Sequence, residues 1–223
     1  MKILAIIPAR SGSKSIKDKN ILSYKGKPLL AHSIVISKKS RFIDHTIVST
    51  DSKKYKKIAE KYGAEVPFLR PKSISNSKSL DIEFIKHCCN FFKKKNSAPE
   101  IVILLRPTTP NRDIKVLDSG IKYFLKNIKK YDSMRSVSAF NQPPQKMFQI
   151  KNKVLAGFFD NVYKGEYHSL PRQSFPKAYL PNGYIDIFKT SFFMNKKNKL
   201  FGKILPYVTL ETLDIDEKND FKK

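Results

Sequence analysis

Two kinds of hydrophobic pattern alternate along the chain, short apolar runs and longer amphipathic stretches. The short runs are rich in Ile, Val and Leu and predict β-strands over residues 2–7, 45–50, 64–69, 101–105, 133–139, 182–188 and 203–207. The longer stretches repeat apolar residues about every 3.6 positions and predict helices over residues 28–39, 53–62, 79–95 and 114–130. This order predicts an α/β fold, a Rossmann-like doubly wound and mostly parallel sheet with helices on both faces.

The alternation of strands and helices stops after Phe140. Residues 141–181 contain five prolines and several aromatic side chains, and they show no helical period. We therefore predict an inserted β-rich arm, residues 140–181, within a single domain of residues 1–223. A chain of 223 residues is long enough to bury the core of one such domain.

The formal net charge of +25 indicates an anionic partner or a strongly solvated surface. The lysines are scattered over the polar sides of most predicted helices, and no zinc or helix-turn-helix pattern accompanies them, so nucleic acid is not favoured as a partner. No apolar run approaches the roughly 20 residues of a membrane-spanning helix. Pro8 and Arg10 interrupt the first apolar run too early for a signal peptide, which predicts a cytoplasmic protein.

The loop after the first predicted strand combines cations with small residues. It runs from Pro8 to Asn20 with the sequence PARSGSKSIKDKN. A loop of this kind at the carboxyl end of a strand is typical of phosphate binding in α/β proteins. Neither the Walker spacing nor the G-x-G-x-x-G spacing is present. We predict that this loop binds a phosphorylated ligand, and the alternative is a solvated basic loop.

Two aspartates near the end of the chain, Asp214 and Asp216, form a candidate metal site. In an extended segment, residues two positions apart point to the same side, so the two carboxylates could share a cation. Carboxylate oxygens opposite a triphosphate are ligands that Mg²⁺ takes. The alternative is that Asp216 caps a helical stretch over residues 217–220. The spacing alone leaves both open, and the cationic loop favours the metal.

The loop resembles the N-terminal signature of the nucleotide-diphospho-sugar transferase superfamily, and within it that of the acylneuraminate (CMP-sialic acid, or CMP-nonulosonate) cytidylyltransferases. Further segments follow in the order seen in that family: Val48-Ser49-Thr50-Asp51, Phe68-Leu69-Arg70-Pro71, Leu105-Arg106-Pro107-Thr108-Thr109-Pro110, Ser169-Leu170-Pro171-Arg172-Gln173, Pro181-Asn182-Gly183 and Asp214-Ile215-Asp216. The ordered set spans nearly the whole chain. It implies a GT-A-like nucleotidyltransferase fold.

The resemblance implies a reaction in which CTP and a sialic-acid-like sugar give a CMP-sugar and pyrophosphate, with Mg²⁺ or Mn²⁺ as cofactor. It also implies that the inserted arm crosses to a second subunit in a homodimer. The residues that it implies are Arg10, Lys19 and Asp216 for catalysis; Pro8, Ala9, Arg10, Ser13, Lys14, Asn20, Arg70 and Asp81 for the nucleotide; Arg106, Lys146, Arg172 and Asp186 for the sugar; and Asp214 and Asp216 for the metal.

Three positions depart from the pattern of the sialic acid enzymes. Those enzymes usually carry Gln where this chain has Arg106, often an aromatic residue where it has Asp186, and Ser near Asp81. The first two lie where the sugar should bind, so N-acetylneuraminic, legionaminic and pseudaminic acids all stay open as substrates. The alternatives are an enzyme of the 3-deoxy-manno-octulosonate cytidylyltransferase type and, from another class, a basic α/β protein that binds nucleic acid.

Overall fold

The computed structural model describes residues 1–13 and 15–222. Within them the chain forms ten strands: β1 (Ile3–Pro8), β2 (Ser23–Tyr24), β3 (Lys27–Pro28), β4 (His45–Ser49), β5 (Ile101–Leu104), β6 (Ser133–Phe140), β7 (Phe148–Lys151), β8 (Val154–Gly157), β9 (Ala178–Lys189) and β10 (Ile204–Val208). The helices are α1 (Leu29–Lys39), α2 (Lys53–Lys61), α3 (Asp81–Lys94), α4 (Ile114–Asn127) and α5 (Thr190–Phe193). No helix in the described ranges is long and apolar enough to cross a membrane.

Six of these strands form the central sheet, in the order β10-β6-β9-β5-β1-β4. β1 pairs in parallel with β4 and β5, and β10 pairs in parallel with β6, whereas β9 is antiparallel to both of its neighbours. The prediction of a mostly parallel α/β sheet is therefore confirmed. Because β1, β4 and β5 run in one direction, their carboxyl ends meet at one edge of the sheet.

Alternate residues of β1 serve the two faces of the sheet. Ile3, Ala5 and Ile7 pack into a core with α1, α2 and α4, whereas Leu4 and Ile6 pack on the other face with α3 and α5. All five side chains are buried. Burial on both faces explains why the central strands are almost purely apolar, and it confirms the doubly wound arrangement.

The predicted strand at residues 64–69 is wrong. In the structure this segment makes a single bridge to β4, in which the Glu65 nitrogen donates to Thr46 O and the Glu65 oxygen accepts from the Val48 nitrogen. Pro67 follows and has no N–H to continue the ladder. The segment rejoins the sheet edge only at Arg70, whose nitrogen donates to Thr50 O at 2.7 Å.

The region of the predicted arm contains an isolated hairpin. β7 and β8 pair antiparallel through a two-residue turn, in which Asn152 and Lys153 have positive φ angles of 50° and 65°. β9 begins at Ala178, opposite Phe140, so the last four residues of the predicted arm belong to the central sheet. The β6–β9 pairing therefore leads from the central sheet directly into the segment that contains the hairpin.

Candidate active site

A cleft of about 460 Å³ opens where the carboxyl ends of β1, β4 and β5 meet. Its walls come from the loop after β1, the segment that follows β4, the start of α3, the loop after β5 and the C-terminal segment. The predicted site residues that line this cleft are Pro8, Arg10, Ser13, Lys19, Asn20, Arg70, Asp81, Arg106 and Asp216. The fold thus brings together residues that lie more than 200 positions apart.

Ala9 and Asn20 hold the backbone on either side of Arg10 in place. Ala9 is fully buried behind the cleft wall, and its nitrogen donates to Ser49 O at 2.9 Å, which continues the pairing of β1 with β4. Lys14 lies outside the described residues. The side-chain amide of Asn20 donates to Arg10 O at 3.2 Å and so fixes the peptide from which the Arg10 side chain projects.

Asp51 anchors the near end of the cationic loop. One of its carboxylate oxygens accepts a hydrogen bond from the Ser11 nitrogen at 2.8 Å, and the other accepts from Ser11 Oγ at 3.0 Å. Because an ionised carboxylate can only accept, it holds both donors of Ser11 at once. The motif around Asp51 was recognised in the sequence, but this positioning role was not predicted.

Asp18 anchors the far end of the same loop. It has a left-handed backbone, with φ 56°, and its carboxylate accepts from Tyr55 Oη at 3.0 Å and from Lys54 Nζ at 3.3 Å. The hydrogen bond from Tyr55 lowers the pKa of Asp18, with a further contribution from Lys54. Both ends of the loop are therefore tied to the start of α2.

The side chain of Lys19 joins the loop to the C-terminal segment. Its Nζ lies 2.9 Å from Asp216 Oδ1 and 2.9 Å from the Ile215 carbonyl oxygen. The Lys19 side chain is 10% exposed and that of Asp216 is 70% exposed. The predicted cationic and acidic elements thus meet in one cleft, and Asp216 keeps most of its carboxylate open to a ligand.

Hydrogen bonds to the loop after β5 and to β9 fix the backbone of the C-terminal segment before Asp216. Ile215 is fully buried, and its nitrogen donates to Thr108 O at 2.8 Å, while Thr212 Oγ1 donates to Asn182 O at 2.8 Å. Asp214 and Asp216 flank this buried residue and are both exposed, although Asp214 does not line the cleft.

As a donor set for the implied divalent cation, Asp214 and Asp216 provide two carboxylates, of which that of Asp216 lines the cleft. Among residues 1–13 and 15–222 there is no cluster of three or more His, Cys, Asp or Glu side chains that could hold a metal unaided. Mg²⁺ is commonly held by one or two carboxylates together with the phosphates of a substrate. Asp214 and Asp216 match that donor set.

Arg70 forms the inner wall of the cleft. It is 4% exposed, and its guanidinium donates from Nε to Ser49 Oγ at 2.9 Å and from Nη2 to Ser49 O at 2.6 Å. The guanidinium also lies 4.4 Å from the centre of the Phe84 ring. Burial lowers the pKa of Arg70. Nη1 takes no part in the contacts with Ser49.

A chain of alternating charges runs from the cleft into the sheet. Arg106 Nη2 lies 2.5 Å from Asp81 Oδ2 and 3.9 Å from Asp186 Oδ2. Asp186, in turn, accepts two hydrogen bonds from Arg135, at 2.9 and 3.2 Å. Burial opposes the charge of Arg106, but its pKa is raised overall because Asp81 and Asp186 stabilise the cation. Asp186 therefore lies behind Arg106 and does not line the cleft itself.

Lys146 and Arg172 do not reach this cleft within the chain. Lys146 Nζ donates to Leu170 O at 2.6 Å, inside the arm. Arg172 lines a separate groove of about 570 Å³ with Phe140 and Val208, between the arm and the edge of the central sheet. The chain thus divides its predicted sugar residues between two places.

Arg112 is a structural residue of the site that the sequence did not indicate. Its guanidinium donates to the backbone oxygens of Arg106, Thr109, Gly183 and Tyr184 and to Ser33 Oγ. Burial lowers the pKa of Arg112 to about 9. The residue locks the loop after β5 to β9 and to α1, and nothing in its sequence context distinguishes it from a surface arginine.

The cationic loop, the buried Arg70 and the exposed Asp216 thus lie together at the carboxyl edge of a doubly wound sheet, an arrangement typical of nucleotide-binding α/β proteins. A family profile for cytidylyltransferases matches residues 4–142. The chain is 37% identical over 224 residues to N-acylneuraminate cytidylyltransferase from Escherichia coli O18:K1:H7, a match that covers 99% of this chain and 51% of the relative. It is 31% identical over 179 residues to pseudaminic acid cytidylyltransferase from Campylobacter jejuni, covering 80% of this chain and 75% of that protein.

The chain belongs to the cytidylyltransferase family, as predicted. It spans about half the length of the Escherichia coli relative. Among solved structures, a CMP:2-keto-3-deoxy-manno-octonic acid synthetase complexed with CTP matches the fold with a TM-score of 0.74, covering 100% of this chain and 96% of that one. At 14% sequence identity this likeness shows the fold alone, and it supports the predicted nucleotidyltransferase architecture.

Proposed function

We propose that this chain transfers the cytidylyl group of CTP to the anomeric hydroxyl of a nonulosonic, sialic-acid-like sugar. The hydroxyl oxygen bonds to the α-phosphorus, the bond from that phosphorus to the oxygen bridging to the β-phosphate breaks, and pyrophosphate leaves with the bridging oxygen. The hydroxyl proton passes to solvent. The observation that carries the proposal is the contact of Lys19 with Asp216 inside the cleft at the carboxyl edge of the sheet.

The charges of the cleft suit this reaction. In-line attack on the α-phosphorus builds negative charge on phosphate oxygens, so catalysis depends on positioning and on electrostatic stabilisation. Arg10 and Lys19 would supply that stabilisation from the anchored loop, and Arg70 with the Asn20 region would hold the cytosine and ribose. Purines would be excluded because the backbone at Pro8 and Ala9 is held rigidly against β4.

The acidic segment would hold the metal cofactor. We propose Asp214 and Asp216 as its protein ligands, with the phosphates of CTP completing the coordination. Mg²⁺ or Mn²⁺ bound there would neutralise phosphate charge and lower the pKa of the attacking hydroxyl. Lys19 would keep Asp216 oriented until the substrate arrives, because its ammonium already holds one carboxylate oxygen.

The relatives support a nonulosonic acid as the acceptor, since one is named for N-acylneuraminate and another for pseudaminic acid. Such sugars carry a carboxylate, and an arginine fork is the natural partner for that group. Arg106 is the arginine of the sugar set that lines the cleft of this chain. Lys146 and Arg172 would reach the cleft of a second subunit.

A homodimer would bring those arm residues to the partner's cleft. The β7–β8 hairpin exposes Ile150 (77%), Val154 (64%) and Leu155 (64%), an apolar surface that a second copy of the chain would cover. We further propose a cytoplasmic location, in keeping with the free, buried thiols of Cys88 and Cys89.

A pyrophosphate-release assay tests the proposed function. CTP is incubated with Mg²⁺ and, in separate reactions, N-acetylneuraminic, legionaminic, pseudaminic and 3-deoxy-manno-octulosonic acids, with UTP and ATP as nucleotide controls. We expect release with CTP and at least one nine-carbon acid. Release with the eight-carbon acid alone would favour the octulosonate reaction, and no release with any acceptor would refute the proposal.

A further inference from the structure

Arg135 lies behind the cleft and does not line it. It is the residue of β6 directly opposite Asp186 of β9, and Asp186 in turn lies opposite Leu104 of β5. Arg106 follows Leu104 by two positions, so the three charged residues lie towards one face of the sheet, the face covered by α3 and α5. Two cations and the carboxylate between them thus follow one another across three neighbouring strands.

Arg135 satisfies the buried carboxylate of this row. The Asp186 side chain is 7% exposed, so its charge has to be balanced by partners within the protein. Arg135 donates from Nε and Nη2 to the two carboxylate oxygens, at 2.9 and 3.2 Å. Arg106 Nη2 lies 3.9 Å from one of these oxygens, which is too far for a hydrogen bond. Asp186 is therefore paired with Arg135, and Arg106 is left for the cleft.

Arg106 has two carboxylates near it and bonds to the one in the cleft. Its Nη2 lies 2.5 Å from Asp81 Oδ2 and 3.9 Å from Asp186 Oδ2. The Asp81 side chain is 35% exposed, so solvent weakens its attraction for a cation more than it weakens that of the buried Asp186. Without Arg135, the unpaired Asp186 would draw Arg106 back out of the cleft. The position of Arg106 thus depends on Arg135.

The Arg135 side chain is itself held in place. Its guanidinium lies 4.0 Å from the centre of the Phe201 ring, and Phe201 packs on Phe188 with their ring centres 4.9 Å apart. A buried ion pair is often no more stabilising than two apolar residues of similar size, so stability alone gives little reason for the Arg135–Asp186 pair. Positioning of a neighbouring group gives a better one.

We infer that Arg135 is a positioning residue for the acceptor sugar: it satisfies Asp186 and thereby keeps the Arg106 guanidinium forward in the cleft, where it can bind the carboxylate of the acceptor. The inference rests on the proposed function for the identity of the acceptor. The position of Arg106 can be tested without it.

Crystal structures of the wild type and of Arg135→Met test the positioning directly. In the variant we expect the Arg106 guanidinium to leave Asp81 and to lie within hydrogen-bond distance of Asp186. Arg135→Gln is a second variant that keeps one donor beside the buried carboxylate and is therefore better tolerated by the fold. An Arg106 that stays on Asp81 in the variants would overturn the inference.

Steady-state kinetics test the consequence for the acceptor. Pyrophosphate release is measured at saturating CTP with whichever of N-acetylneuraminic, legionaminic and pseudaminic acids turns over. In Arg135→Met and Arg135→Gln we expect the KM for the acceptor to rise about tenfold or more, the loss expected for a hydrogen bond to a charged group, with a smaller change in kcat. Lys203→Met is the matched control, because it also removes a cation stacked on a ring, that of Tyr131, and should behave as the wild type.

Two combined variants separate positioning from a general loss of packing. When Arg106→Gln is already present, Arg135→Met should raise the KM for the acceptor no further, because the group that it positions is gone. Asp186→Asn added to Arg135→Met should bring the KM back towards the wild-type value, because the charge that withdraws Arg106 is gone. Additive losses in the first variant, or no recovery in the second, would overturn the inference.

Failure of the inference is distinct from failure of the proposed function. If no acceptor gives pyrophosphate, the proposed function fails, and the crystal structures still decide whether Arg135 positions Arg106. If turnover occurs and Arg106 keeps its place in the Arg135 variants, the proposed function stands and the inference fails.

Discussion

Lys19 and Asp216 are separated by 197 positions in the sequence, yet Lys19 Nζ lies 2.9 Å from Asp216 Oδ1. The lysine is almost fully enclosed and also donates to the neighbouring Ile215 carbonyl oxygen. Asp216, by contrast, is largely open to the cleft. The contact therefore fixes one carboxylate oxygen of Asp216 and leaves the rest of the carboxylate exposed in the cleft.

Replacement of this acid should abolish turnover and spare nucleotide binding. In Asp216→Asn we expect kcat to fall by at least about 100-fold, the scale of loss for one electrostatic group in the transition state. CTP should still bind, because Arg10, Arg70 and the anchored loop are intact. Pyrophosphate release and calorimetry measure the two quantities. Glu217→Gln, an exposed neighbour, is the control, and wild-type kcat in Asp216→Asn would contradict the assignment.

Loosening the near end of the cationic loop should weaken CTP binding. Asp51→Asn removes the charge that holds both donors of Ser11, so the loop cations lose their fixed position. We expect the KM for CTP to rise about tenfold, with a smaller effect on kcat. A double-mutant cycle with Ser11→Ala should show that the two losses are not additive. Glu60→Gln, on the helix α2 that follows Asp51, is the control. Full additivity of the two losses would contradict a joint role of Asp51 and Ser11 in holding the loop.

Loss of Arg112 should destabilise the fold itself. Arg112→Met leaves four backbone oxygens without their donor, and we expect the free energy of unfolding to fall by about 3 kcal/mol. Urea unfolding measures the change. Arg41→Met, at a side chain that is 76% exposed, should change stability by no more than about 0.5 kcal/mol. Equal effects of the two substitutions would show that Arg112 is not structurally important.

Charge placed on the hairpin should dissociate the proposed dimer. Leu155→Asp puts a carboxylate on the exposed apolar strand β8, where a second chain would have to bury it. We expect sedimentation to show a dimer for the wild type and a monomer for the variant, with reduced activity. Asn198→Asp, at an exposed position in the loop after α5, adds the same single negative charge and is the control. If the wild type is a fully active monomer at micromolar concentration, the proposed dimer is wrong.

Much of the architecture could be predicted because it follows from periodicity. The buried runs of β1 and β5 and the amphipathic helices have the patterns that these elements require, and the first loop combines cations with small residues in a recognisable order. The prediction of a strand at residues 64–69 was wrong because Pro67 has no N–H to donate to a neighbouring strand. A pattern of hydrophobic residues does not show this loss.

The supporting contacts of the site were harder to predict. Asp18, Asp51 and Arg112 have the same residue types as solvated surface positions, and only the three-dimensional structure shows that they hold backbone or loop groups. The sequence also could not show that Lys146 and Arg172 lie in the arm, away from the cleft of their own chain. In the proposed dimer they would act at the cleft of the second copy.

The wall formed by the C-terminal segment has a consequence for folding. Lys19 and Asp216 are 197 positions apart, so this wall of the cleft depends on a contact of very high sequence separation. The entropy of loop closure opposes such a contact until the segments between the two residues have folded. We therefore expect the sheet around β1, β4 and β5 to form before Asp216 reaches the cleft, so that the core is assembled while the cleft still lacks one wall.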